Sequence, residues 1–176
     1  LTLNRMCFSG IYDHLEGGFF RYSVDELWMI PHFEKMLYDN GPMIDILCNG
    51  YRKIKDPVLL TKIEETCGWL IKNMQDNRGG FFSTIDADSE HVEGKYYVWS
   101  IEELKSILND TEFELIEKTY FVYGKPNFEG KYHFHITKNN ENNYKENIKA
   151  IEKINKKLLA IRDNRIKPNT DKKILV

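Results

Sequence analysis

Apolar side chains recur at helical spacing in several stretches. Leu3, Met6, Cys7, Gly10 and Ile11 share one side of a 3.6-residue period, so residues 1–12 predict the end of a helix. Residues 13–41 show no such period and read as loop. Pro42 predicts the opening of a helix whose face carries Met43, Ile44, Leu47, Cys48, Tyr51 and Ile54. Asp56-Pro57 reads as a cap followed by a first-turn proline, and Val58, Leu59, Ile63, Cys67, Leu70, Ile71 and Met74 form the next stripe. The turn between the two is very short, which predicts an antiparallel helical hairpin.

Past Gly79 the pattern changes. Residues 81–87 and 95–99 are aromatic and β-branched, and Asp88 to Gly94 between them is polar. This predicts a β-hairpin with a long loop. Ser100 with Glu103, and Thr111 with Glu114, read as capping boxes opening two helices, the second running to about Val122. Ile148, Ile151, Ile154, Leu158 and Ile161 predict a long helix. The elements together predict a mainly α chain with a small β-hairpin insertion. Residues 1–163 form one domain and 164–176 a basic, proline-containing linker.

One phrase occurs twice. Gly17-Gly18-Phe19-Phe20 returns as Gly79-Gly80-Phe81-Phe82, a spacing of 62, and acidic residues follow both copies. A glycine–aromatic turn repeated at fixed period marks a repeated helical unit. Equivalent turns of stacked hairpins put their loops on one rim, so the two acidic segments are expected to converge there.

Composition narrows the class. The chain has 176 residues, 41% hydrophobic and 30% charged, with a net charge of −2. That balance gives no general pull toward nucleic acid or membrane. Residues 1–137 carry 14 basic and 22 acidic side chains, and residues 138–176 carry 11 and 5. The basic tail reads as a solvated helix face. Cys7, Cys48 and Cys67 form no C-x-x-C pair and fall on apolar stripes, so they read as reduced, buried thiols of a cytoplasmic protein. No apolar run is long enough to span a membrane. The chain begins at Leu1 inside a helical pattern and stops on apolar Ile174-Leu175-Val176, so it is expected to be a piece of a longer protein. Its apolar faces at residues 1–12 and 148–161 are expected to lack some partners, so that the piece dimerises or is only marginally stable.

Two clusters carry candidate chemistry. Asp86, Asp88 and Glu90 alternate with small residues, which on a strand places three carboxylates on one face. The plain alternative is a solvated acidic loop. Asp25, Trp28, His32, Glu34, Lys35, Tyr38 and Asp39 mix titratable groups with aromatics, a composition suited to a sugar-sized pocket. The alternative is a structural loop. His133 and His135 alternate without an obvious third ligand, so no metal is expected, and no cofactor motif is present.

Longer stretches carry a resemblance. Gly10 to Asp25, then Trp28, Ile30-Pro31-His32-Phe33-Glu34-Lys35-Met36-Leu37-Tyr38-Asp39, then Gly79 to Ser83, Asp86-Ala87-Asp88-Ser89-Glu90, Glu93-Gly94-Lys95 and Tyr97-Val98-Trp99 resemble the signature of the thioredoxin-domain-containing, spermatogenesis-associated family. The match runs from residue 3 to about residue 173. Phe20 departs from the more frequent His, and Glu16 from the usual Gly. The resemblance implies an N-terminal thioredoxin-like domain, absent from this chain, which would be a partner within the same protein. It also implies an (α/α)6 toroid like six-hairpin glycosidases and N-acylglucosamine 2-epimerases, of which this chain would be the early part.

Two functions follow. The first is a carbohydrate-active or sugar-binding domain, either hydrolase or epimerase. Asp25, His32, Glu34, Asp86 and Asp88 are its expected acid–base residues, and Arg21, Tyr22, Trp28, Tyr38, Glu90 and Tyr97 its ligand contacts. The second is a non-catalytic substrate-binding or scaffold domain serving the redox domain. Carboxylates converging on an open cavity favour the first; carboxylates consumed by backbone amides or arginine favour the second.

Overall fold

The computed structural model describes residues 1–120 and 122–175. Phe121, inside the helix expected to reach Val122, and Val176, the end of the expected linker, lie outside the described residues. The fold is 49% helix and 16% strand, with three small sheets. This overturns the mainly α toroid reading: the architecture is mixed α and β. Segments that lack helical periodicity pair with distant segments instead of forming loops between stacked hairpins.

Helix α1 spans Thr2–Phe8, shorter than the expected 1–12. Helix α2, Leu37–Ile54, begins five residues before Pro42, which therefore sits inside the helix. Lys55 ends it in the left-handed conformation, with φ 54°. Asp56 caps helix α3, Pro57–Trp69, by accepting from Val58 N at 2.9 Å. The two helices pack together. Helix α3 runs on as a π-helical turn, Leu70–Met74. Helix α4, Ile101–Ile107, has the expected Ser100 cap. Helix α5, Asp110–Tyr120, is boxed two residues earlier than expected: Asn109 Oδ1 accepts from Glu112 N, and the Glu112 carboxylate accepts from Asn109 N. Helices α6, Glu141–Glu146, and α7, Ile148–Arg162, complete the helical part.

Strands β1, Tyr22–Ser23, and β2, Pro31–His32, form one two-stranded sheet. The largest sheet has β4, Phe81–Ile85, between β3, Lys35–Met36, and β7, Thr170–Leu175, all antiparallel. Strand β5, Asp88–Ser89, pairs with β6, Val92–Glu93. The hairpin expected between 81–87 and 95–99 does not form: β4 finds both of its partners elsewhere, and Trp99 bridges to Tyr132. Residues 164–175, expected as a linker, lie against the body. Arg165 donates to the carbonyls of Tyr96 and Val98, and β7 closes the sheet.

The main core joins Phe8, Tyr12, Leu47, Leu59, Trp99, Tyr120 and Phe134 with Ile151, Ile154 and Leu158 of α7. The face of α7 expected to be uncovered is thus packed. A second cluster gathers Phe20, Ile30, Phe33, Tyr96 and Tyr97. Of the cysteines only Cys7 is buried; Cys48 and Cys67 are half-buried. The two glycine–aromatic copies sit in different settings. Phe19 bridges Tyr12 and is buried, whereas Phe81 and Phe82 are half-buried in β4.

Candidate functional site

Residues 31–36 are the organising segment. Pro31, Phe33 and Lys35 are buried while His32, Glu34 and Met36 are half-buried, a strand alternation. The alternation is hard to read from sequence because a lysine occupies an inward position. Lys35 is fully buried, and Nζ donates to Asp13 Oδ2 and to Gly17 O, each at 2.8 Å. Phe20, Trp69 and Tyr97 present ring faces to it within 5.4 Å. Arg162 of α7 grips the same carboxylate with two bonds, at 2.9 and 2.8 Å. Burial alone would push the Asp13 carboxyl up; Arg162 and Lys35 outweigh it and hold it far below the carboxylate range. This buried knot anchors the outward residues between its members.

On the outer face Tyr22 lies opposite His32 in register, with rings stacked 5.1 Å apart. His32 Nδ1 is 2.7 Å from Glu93 Oε1, and its Nε2 is 3.9 Å from Glu34 Oε2. Arg21 Nη1 donates to Glu34 Oε2 at 3.0 Å, and its guanidinium sits 5.9 Å from the Tyr38 ring centroid. Arg21, Tyr38 and Asp39 line a cavity of about 270 Å³ with Phe19, Phe20 and Met43. Asp39 Oδ2 is buried there without a hydrogen-bond partner among the described residues. Partial burial raises the Asp39 carboxyl, Arg21 opposes that and the Glu34 charge adds to it. Two carboxylates in different environments, one paired with arginine and one raised by burial above the ordinary aspartate value, are the raw material of acid–base chemistry.

Glu93 is the residue the sequence reading passed over. It stands opposite Asp88 in the β5–β6 pair and reaches His32, so it joins the second acidic segment to the first. Its place in the quoted Glu93-Gly94-Lys95 motif was the available signal. Asp39 was equally visible, beside Tyr38.

The remaining expected residues lie elsewhere. Asp25 accepts from the backbone N–H of Leu27, Met29 and Ile30, at 2.8, 2.9 and 2.6 Å, closing the loop before β2. Burial pushes its carboxyl up, but those N–H bonds win and lower it. Trp28 is part of that loop, at φ 59°, and its carbonyl accepts from Gly10 N. Asp86 and Asp88 are exposed on the surface. Glu90 is paired with Lys95 at 2.7 Å and lines a separate cavity with Tyr96 and Arg165. Tyr97 is buried, stacked on Phe33 at 5.6 Å, and borders another cavity with Glu16 and Trp69. The structure thus brings together Arg21, Tyr22, His32, Glu34 and Tyr38. It does not place Asp25, Trp28, Asp86, Asp88, Glu90 and Tyr97 in a common cavity with them.

His133 and His135 are both buried. His133 Nε2 donates to Gly10 O at 2.7 Å, so this ring serves as a brace. Among the described residues no three His, Cys, Asp or Glu side chains are grouped to hold a metal, and no helix is long and apolar enough to cross a membrane.

The chain is similar to spermatogenesis-associated protein 20 of Rattus norvegicus, at 36% identity over 113 residues, covering 61% of this chain and 14% of the relative. The Homo sapiens protein of that name is 35% identical over the same length and with the same coverage of both chains. An uncharacterised protein of Caenorhabditis elegans is 36% identical over 118 residues, covering 62% of this chain and 16% of its own length. The chain therefore spans about one seventh of the length of these mammalian relatives. No family model matches it. These relatives support the spermatogenesis-associated family to which the signature motifs pointed.

Proposed function

We propose that the face formed by Arg21, Tyr22, His32, Glu34, Tyr38 and Asp39 binds a polyhydroxylated, sugar-class ligand. The reading is carried by Asp39, whose Oδ2 has no hydrogen-bond partner among the described residues and which borders an open cavity beside the Arg21–Glu34 pair. Aromatic rings at Tyr22 and Tyr38 are half exposed and offer stacking faces. Should the site be catalytic, Asp39 is the proton donor and Glu34 the base, with His32 and Glu93 orienting the ligand hydroxyls. Thermal-shift screening of sugars and sugar phosphates tests it, on this chain and on the full-length protein. A ligand at a hundredfold excess over Kd adds about 2.7 kcal/mol of stability. Stabilisation that survives Asp39→Asn and Glu34→Gln would place the ligand elsewhere.

A second reading has its own observation. Asp25 is consumed by backbone amides, and Asp13 by arginine and lysine, which is what a scaffold requires. On that reading the chain supports a thioredoxin-like domain elsewhere in the protein, and no sugar stabilises it.

A further inference from the structure

Behind the turn that starts at Asp13, helices α3 and α7 flank an open cleft of about 420 Å³, separate from the face just described. With about 30 Å³ per liquid water, that is room for on the order of ten waters or a ligand of similar size. Two of its lining residues, His14 and Asn155, are more than nine-tenths buried, and each keeps an atom without a partner among the described residues: His14 Nδ1 and Asn155 Oδ1.

The character of both atoms is fixed by their neighbours. His14 Nε2 lies 3.0 Å from Ser9 O, which can only accept, so Nε2 carries the proton. Burial and the Lys62 charge hold the ring neutral, which leaves Nδ1 a bare lone pair. Asn155 Nδ2 donates to His14 O at 2.9 Å and to Tyr120 Oη at 2.7 Å. Flipping the amide would set two oxygens against each other at His14 O, so Oδ1 is the unpartnered end. Both buried orphans are acceptors; what completes them is a donor.

The charged lining is mixed but net acidic: Glu16, Glu64, Glu65 and Glu152 stand against Lys72 and the exposed Lys156. Glu16 is held by Lys72 and Arg162, and Glu65 by Lys62 and Tyr12. Glu64, exposed, and Glu152, half-buried, have no ion-pair partner among the described residues. Trp69 and Leu159 supply apolar wall.

We propose that this cavity binds a small aliphatic amine, its ammonium donating to His14 Nδ1 and Asn155 Oδ1, its methylenes against Trp69 and Leu159, and the rim carboxylates of Glu64 and Glu152 facing its charge. Titration calorimetry with 1,4-diaminobutane, against 1,4-butanediol as the neutral isostere, tests it on this chain and on the full-length protein. The diamine should bind saturably and at least about tenfold more tightly than the diol, as loss of charge-assisted bonds implies. Asn155→Leu should weaken the diamine about tenfold or more. Asn155 also braces two neighbours, so circular dichroism first establishes that the variant is folded. If it is not, the rim pair Glu64→Gln with Glu152→Gln takes its place and should weaken binding at least about threefold by removing two charges. No diamine binding, a diol that binds equally well, or folded variants with wild-type affinity overturn the proposal.

Discussion

Arg162 donates two hydrogen bonds to the Asp13 carboxylate across 149 positions of sequence, both side chains nearly inaccessible to water. Removing one partner strands a buried charge. Arg162→Met should therefore cost about 3–5 kcal/mol, whereas loss of either partner of an exposed pair such as Lys118–Glu114 should cost far less. Urea melts of the two variants make the comparison; equal effects would mean the knot contributes no more than a surface pair.

Protonation offers a second reading of stability. Burial pushes the His133 imidazole down to about 4. A depressed folded value means the unfolded chain, near 6.5, binds the proton first, so stability is lost as pH falls from about 6.5 toward 4. The loss should be on the order of 3 kcal/mol from this group. Below about pH 4 the Asp13 carboxylate adds to it, because its depressed folded value makes its contribution vanish as the unfolded chain protonates. Melts from pH 7.5 to 4.5 should show the first phase, and His133→Gln should shrink it.

Gly18 of the first glycine–aromatic copy and Gly79 of the second should respond differently to alanine. Gly18 has φ 83°, and a Cβ there would lie 2.6 Å from the Trp69 ring. Gly79 has φ 97° with nothing within 4 Å. Gly79→Ala should cost about 1–2 kcal/mol of backbone strain. Gly18→Ala adds overpacking of about 1–3 kcal/mol. Comparable midpoints in urea would contradict the packing difference.

The acidic residues should separate in the same way. Asp25→Ala leaves several backbone N–H groups unsatisfied and should cost about 2–3 kcal/mol. Asp86→Asn and Asp88→Asn, both exposed, should stay within about 0.5 kcal/mol of the parent. Asp39→Asn should leave stability within about 1 kcal/mol while removing ligand stabilisation. If Asp39 acts as a proton donor, turnover should fall as pH rises past its raised value, and the asparagine variant should lose that fall.

Helices were legible because their apolar stripes are local: α3 with its Asp56 cap and α4 with its Ser100 cap stand where the pattern put them. Strands were less so. The short β3 strand owes its identity to β4, and β4 to β7, partners far along the chain that no local window contains. The candidate site was half legible. His32 and Glu34 share a face because they are two apart in extended backbone, and Arg21 and Tyr22 reach them through the β1–β2 region. Asp25 was misread because its carboxylate turns inward to its own loop, a choice that composition does not reveal. The Asp13–Lys35–Arg162 knot escaped altogether, since each member is an ordinary charged residue until the fold brings the three together.

Strand β4 takes one partner from residues 35–36 and the other from residues 170–175. On the ribosome the first becomes available long before the second. At roughly 5–20 residues per second, a nascent chain holds β4 with one open edge for several seconds. Its half-buried Phe81 and Phe82 are displayed beside unsatisfied backbone groups throughout that time. A ribosome that stalls before Thr170 thus leaves a strand primed to pair with a neighbouring nascent chain.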